Sequence, residues 1–163
     1  MALFLSRSTH KVDRKGRVSV PAAFRSALGD ALGEGVGLAE PITGQQAIEA
    51  TPMTRIMARL AQLDTLKSDS PQHAALVMMT LGNTRQVTID SDGRMILPED
   101  LIAHAGIEGM AVFVGLGHTF QIWEPKALDA YMKEAAAIAR ESADMLPPLS
   151  SLGLGGTGPG QGG

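Results

Sequence analysis

Val12-Asp13-Arg14-Lys15-Gly16-Arg17-Val18-Ser19-Val20-Pro21 returns 77 residues later as Ile89-Asp90-Ser91-Asp92-Gly93-Arg94-Met95-Ile96-Leu97-Pro98. Asp, Gly, Arg and Pro recur at the same offset, and each has its own backbone or charge role, so the chain reads as two copies of one unit. In each copy the pattern predicts an apolar strand, a tight turn at Gly16 or Gly93, a short returning strand and a helix entered at Pro21 or Pro98. Glycine suits the positive φ of such a turn, and proline suits the first position of a helix.

Working outward, Leu3 to Val12 reads as a strand with a bend near Ser6 to Ser8, paired with Val18-Ser19-Val20 across the Gly16 turn. A helix from Pro21 to Leu28 stops at Gly29. Two further strands lie around Val36–Ala39 and Gln46–Glu49. Thr51-Pro52 then predicts a capped helix with Met53, Ile56, Met57, Leu60 and Leu63 on one stripe, and Ser70-Pro71 a second helix to Gly82. The second copy repeats the hairpin at 85–97, the short helix at 98–105, strands at 110–115 and 120–124, and a helix from Pro125. The expected organisation is a first repeat at 1–69, a second at 70–146 and a disordered tail at 147–163. Seven of the last eleven residues are glycine, which leaves that run little to bury. Its Gly153 to Gly158 matches the spacing of a dinucleotide-binding loop, but no strand and helix can flank it with five residues remaining.

Composition narrows the function. Cysteine is absent, which excludes disulfides, thiolate catalysis and cysteine-ligated metal centres and suits a reducing cytoplasm. No apolar run approaches the length of a membrane span. Aromatic residues make up only 4% of the chain, too few for a base-stacking single-strand platform. The net charge of −3 disfavours nucleic acid only on average. Residues 1–30 hold six cations against two acids, a net +4, while the remainder holds eight against fifteen, a net −7. Cations therefore gather around the first motif, as a local polyanion site requires.

Asp13 is placed to accept turn N–H groups and to pair with Arg17, a contact that stabilises a fold without any ligand. Arg14, Lys15 and Arg17 stand on or beside the turn, where a two-stranded ribbon can enter the major groove, arginine bonding guanine and lysine phosphate. Both roles are compatible. In the second copy Arg94 follows Asp92 where the first has Lys15, which weights that turn towards structure. Asp90, Asp92, Glu99 and Asp100 form a local acidic group without the spacing of a calcium loop, and Glu99 and Asp100 suit a helix N-terminus. His10, His73, His104 and His118 are scattered singly. No catalytic residue, metal, cofactor or small-molecule ligand is apparent, and the expectation is a protein that is not an enzyme.

The paired motifs, with Asp13 and Gly16 answered by Asp90 and Gly93 and the prolines in step, resemble the MraZ family of bacterial DNA-binding regulators of the division and cell-wall gene cluster. The resemblance spans about residues 1–145. It implies an α+β fold of tandem swapped-hairpin, AbrB-like halves forming a pseudo-two-fold β-barrel with peripheral helices, and ring-shaped homo-oligomers. It also implies DNA contacts at Lys15, Arg17 and Arg94, with Asp13 and Asp90 as paired acids. The implied partner is double-stranded promoter DNA carrying repeats, and the implied place is the cytoplasm, on the nucleoid. The competing expectation is a non-enzymatic ring-forming scaffold whose hairpins are purely structural and whose Met-rich helices, 52–81 and 125–145, hold partners.

Overall fold

A computed structural model describes residues 3–66 and 68–153. They divide into two compact units, Met1–Leu128 and Asp129–Gly163. In chain order the first unit carries strands β1 (Arg7–Lys11) and β2 (Arg17–Ser19), helix α1 (Ala22–Leu28), strands β3 (Val36–Ala39) and β4 (Ile48–Pro52), and helices α2 (Met53–Leu63) and α3 (Pro71–Thr80). The second copy supplies β5 (Arg85–Val87), β6 (Arg94–Ile96), α4 (Glu99–Ala105), β7 (Met110–Gly115) and β8 (Phe120–Trp123). Helix α5 (Pro125–Glu141) continues into the second unit, which also holds short 3-10 turns at Ala143–Met145 and Leu149–Leu152. Of the tail expected at 147–163, residues 147–153 are described and hold the turn at Leu149–Leu152, and the rest lies outside the described residues.

The fold is mixed α+β with antiparallel sheets. Six strands form one sheet in the order β1-β7-β8-β4-β3-β5, and β2 with β6 forms a separate two-stranded ribbon. Exchanging the copies, β1 for β5, β7 for β3 and β8 for β4, reproduces the same order. The expected pairing of residues 3–12 with 18–20 within one copy is replaced by exchange between copies. β1 pairs with β7, β2 with β6, and only a bridge between Val12 and Val18 remains of the local hairpin. The reason is burial: Val18 and Val20 from the first copy and Met95 and Leu97 from the second enter one core, which a free-standing hairpin could not build. Among the described residues the sheet keeps two edges, β1 and β5, and its ladder does not close into a barrel.

That core is common to both copies. All four phenylalanines of the chain are buried in it, with ring centroids 5.3 Å apart for Phe4 and Phe24 and 5.0 Å for Phe24 and Phe120. Such aromatic contacts add specific geometry to a large apolar area. The bend expected near Ser6 is present, with Ser6 at φ 72°. Beyond it Phe4 and Gly117 exchange backbone hydrogen bonds of 2.8 Å.

Two local expectations shift. Thr51 and Pro52 are buried in β4, paired with Gly37 and Val36, and the Thr51 side chain caps nothing. A Thr-Pro step reads equally as a cap or a strand end, and the cross-strand partners decide it. Pro21 and Pro98 stand at the N-cap, one residue before the helix, because their ψ of 138° and 139° is extended. Ser70 does cap α3, its hydroxyl accepting from the His73 N–H at 3.1 Å. The stripe of α2 divides: Leu63 is buried, Ile56 closes over Gly37, and Met57 is 72% exposed. Met57, Met78 and Met79 are exposed in this chain and stand outside its core.

Candidate nucleic-acid interface

Each motif turn is built the same way from its aspartate. Asp13 Oδ1 accepts from the backbone N–H groups of Lys15 at 3.0 Å and Arg17 at 2.9 Å, while the Asp13 carbonyl takes the Gly16 N–H at 3.0 Å. In the second copy Asp90 Oδ1 accepts from Asp92 at 2.9 Å and Arg94 at 2.9 Å, and its carbonyl takes the Gly93 N–H at 3.0 Å. These bonds favour the charged carboxylate. The backbone and then the side chain of Arg17 lower the Asp13 pKa, and chiefly the backbone of Arg94 lowers that of Asp90. The Arg17 charge also contributes to lowering Asp90, so the first motif acts on the second.

Gly16 and Gly93 turn at φ 82° and 78°, a region disfavoured by L side chains. Their carbonyls then tie the copies together. Gly93 accepts the Val20 N–H at 2.9 Å, and Gly16 accepts the Leu97 N–H at 2.8 Å. The turns thus brace the ribbon from both ends, and its alternation buries Val18 and Met95 while Arg17, Ser19, Arg94 and Ile96 take the outer face.

The two arginines are not held alike. Arg17 donates through Nε to Asp13 Oδ2 at 2.7 Å, and among the described residues its terminal nitrogens carry no other bond. Arg94 instead donates a terminal nitrogen to Asp92 Oδ2 at 3.0 Å, and its buried Nε, 3.8 Å from the Asp90 carboxylate, has no hydrogen-bond partner. Asp92 therefore screens the second arginine, where the first copy offers the exposed cation Lys15.

Arg14, Arg17 and Arg94 line one open cleft of about 580 Å³ together with Asp13, Lys11, Ser19 and Glu108. Four of these side chains are cations and three are acids or hydroxyls, so the cleft has an excess of positive charge. Lys15 is exposed on the turn but does not line this cleft. Lys11, Ser19 and Ile96 were not singled out by sequence. The signal for Ser19 and Ile96 lay in the pairing of β2 with β6 and that for Lys11 in the pairing of β1 with β7, both set between copies and not by local spacing.

The acidic group does not converge. Asp90 serves its turn, Asp92 pairs with Arg94, and Asp100 pairs with Arg85 across the surface. Among the described residues no three His, Asp or Glu groups stand close enough together to hold a metal ion. No described helix is long and apolar enough to cross a membrane.

Comparison with known proteins adds to this geometry. A family model described as MraZ protein matches residues 80–146. The chain is 42% identical over 141 residues to the transcriptional regulator MraZ of Rickettsia akari (strain Hartford), covering 86% of this chain and 94% of that protein. It is 40% identical, with the same coverage, to the proteins so described from Rickettsia canadensis (strain McKiel) and Rickettsia felis (strain ATCC VR-1525 / URRWXCal2).

Proposed function

This chain belongs to the MraZ family of transcriptional regulators, a non-enzymatic family, and on that premise we propose that it binds double-stranded promoter DNA sequence-specifically through the β2–β6 ribbon and its two turns. The observation that carries the reading is the outer face of the ribbon, where Arg17 and Arg94 stand over buried Val18 and Met95. A two-stranded ribbon fits the major groove, and an arginine with free terminal nitrogens can bond guanine bidentately. Arg17 is the principal base contact in this reading, Arg94 the weaker one, and Arg14 and Lys15 meet phosphate. Asp13, Gly16, Asp90 and Gly93 set the turns. The division and cell-wall gene cluster as target, and the cytoplasmic nucleoid as the place of action, follow from the family resemblance.

We read the six-stranded sheet and its ribbon as an open form of the AbrB-like pseudo-two-fold barrel, with residues 1–69 and 70–146 as its halves. The exchange symmetry of the strand order supports that reading. Ring-shaped homo-oligomers are part of the proposal, supported by Met57, Leu60, Met78 and Met79, apolar side chains that α2 and α3 leave exposed. Linked ribbons on repeated sites raise the effective concentration of each next contact.

The test is a gel-shift titration against the DNA upstream of the protein's own gene, with a scrambled duplex of equal composition. Preferential retardation of the upstream duplex, weakening with salt, is the expected result. Equal retardation of both would leave only nonspecific binding, and assembly without DNA affinity would establish the scaffold reading instead.

A further inference from the structure

The ribbon's outer face is symmetric in its arginines and asymmetric in what stands opposite them. The register pairs Arg17 with Ile96 and Ser19 with Arg94. Exchanging the copies turns Arg17 into Arg94 and Ser19 into Ile96, each pair being 77 residues apart. One arginine therefore faces a hydroxyl and the other a branched hydrocarbon. Ile96 is 57% exposed, whereas its chain neighbours Met95 and Leu97 are each 1% exposed. It is turned out of the core, onto a face that otherwise carries only arginine and serine.

The major groove offers one apolar feature on its base edges, the 5-methyl group of thymine. Side chains directly opposite on antiparallel strands stand about 4.5–5.5 Å apart at Cβ, a spacing that reaches neighbouring base pairs about 3.4 Å apart along the duplex. We propose that Ile96 reads the methyl group of a thymine beside the guanine bonded by Arg17, so that the ribbon recognises a non-palindromic step in one orientation. This deepens the DNA-binding reading above and rests on it. The Arg17 half is also the less screened, since Asp92 holds Arg94 and, among the described residues, no acid beyond Asp13 holds Arg17. The hydrocarbon thus lies beside the stronger of the two contacts. The Ser19–Arg94 half has no apolar group to require a methyl.

Deoxyuridine differs from thymidine only by that methyl, and amplification with dUTP from uracil-bearing primers replaces every thymine of the upstream duplex. The full-length protein is titrated against the thymine and uracil duplexes and against scrambled DNA. The expected result is about fourfold tighter binding to the thymine duplex, the effect of one buried methyl group. Ile96→Ser should bind both duplexes equally, at the affinity the unmodified protein shows for uracil DNA, and that retained binding verifies its folding. Should Ile96→Ser fail to fold, Ile96→Ala is read in the same way. A protein that prefers upstream over scrambled DNA but treats thymine and uracil alike overturns the methyl contact and leaves DNA binding standing. A preference that survives in the Ile96 variants also overturns it, placing methyl sensing elsewhere. No preference for upstream DNA removes both readings together.

Discussion

At the scale of single residues, similar hydrogen bonds around two aspartates give two arginines of different availability. Among the described residues Arg17 keeps its terminal nitrogens free, while Arg94 gives one to Asp92. Arg17→Ala should therefore weaken specific DNA binding by roughly 1–3 kcal/mol, the value of a bidentate base contact, and Arg94→Ala by less. Asp92→Lys should strengthen binding to all duplexes and steepen the salt dependence, since each added phosphate contact changes the log–log slope by about one unit. Equal losses for the two arginines in fluorescence titrations would contradict the screening by Asp92. Gly16 and Gly93 differ too. A Cβ on Gly16 would meet the Leu97 carbonyl oxygen at 2.8 Å, a backbone atom, whereas on Gly93 it would meet the movable Arg25 guanidinium at 2.8 Å. Both substitutions strain a positive φ. Gly16→Ala should destabilise by about 1–3 kcal/mol and Gly93→Ala by less, read from chemical denaturation.

At the scale of elements, local chemistry was legible and partnership was not. The Ser70-Pro71 cap, the glycine stops at Gly29 and Gly106 and the twin turns follow from residues within a few positions of one another. The strand pairing does not, because Val18 finds Met95 and Thr9 finds Val112, partners fixed by a shared core and not by nearby sequence. The charges of the candidate site, Arg14, Lys15, Arg17 and Arg94, were visible in the sequence, whereas Ser19 and Ile96 come to stand beside Arg94 and Arg17 only through that pairing. Helix α2 shows the same limit. Its apolar spacing was clear, yet it could not tell that Ile56 meets Gly37 while Met57 points outward. An exposed Met57 beside a half-exposed Leu60 is the element-level basis for the proposed self-association. Met57→Glu should weaken assembly by about tenfold or more, because the interface would bury an unpaired carboxylate. Sedimentation across a concentration series reads this, and an unchanged circular dichroism spectrum separates it from unfolding. A protein that sediments as a 17.1 kDa species at every concentration would remove the ring proposal.

For the molecule as a whole, the decisive property is that neither copy completes itself. Of the first copy's strands only β3 and β4 pair with each other; β1 takes β7, β2 takes β6, β4 also takes β8, and β3 also takes β5. The core residues Val18, Val20 and Phe24 share one cluster with Met95, Leu97 and Phe120 from the second copy. Residues 1–69 alone would leave that surface open to water, and a two-stranded remnant is at best marginally stable. The exchange symmetry of the sheet offers a remedy, since a second molecule of 1–69 can supply β3 in place of β7, β4 in place of β8 and β2 in place of β6. The isolated first half should therefore be unfolded at low concentration and fold only as a homodimer, with a melting temperature that rises with concentration. Mixing it with residues 70–146 should restore a one-to-one complex, because the side chains of the two halves are matched to each other and not to themselves. Circular dichroism with sedimentation distinguishes these states. A folded monomer of 1–69 whose stability is independent of concentration would show that interleaving is not what holds the two copies in place.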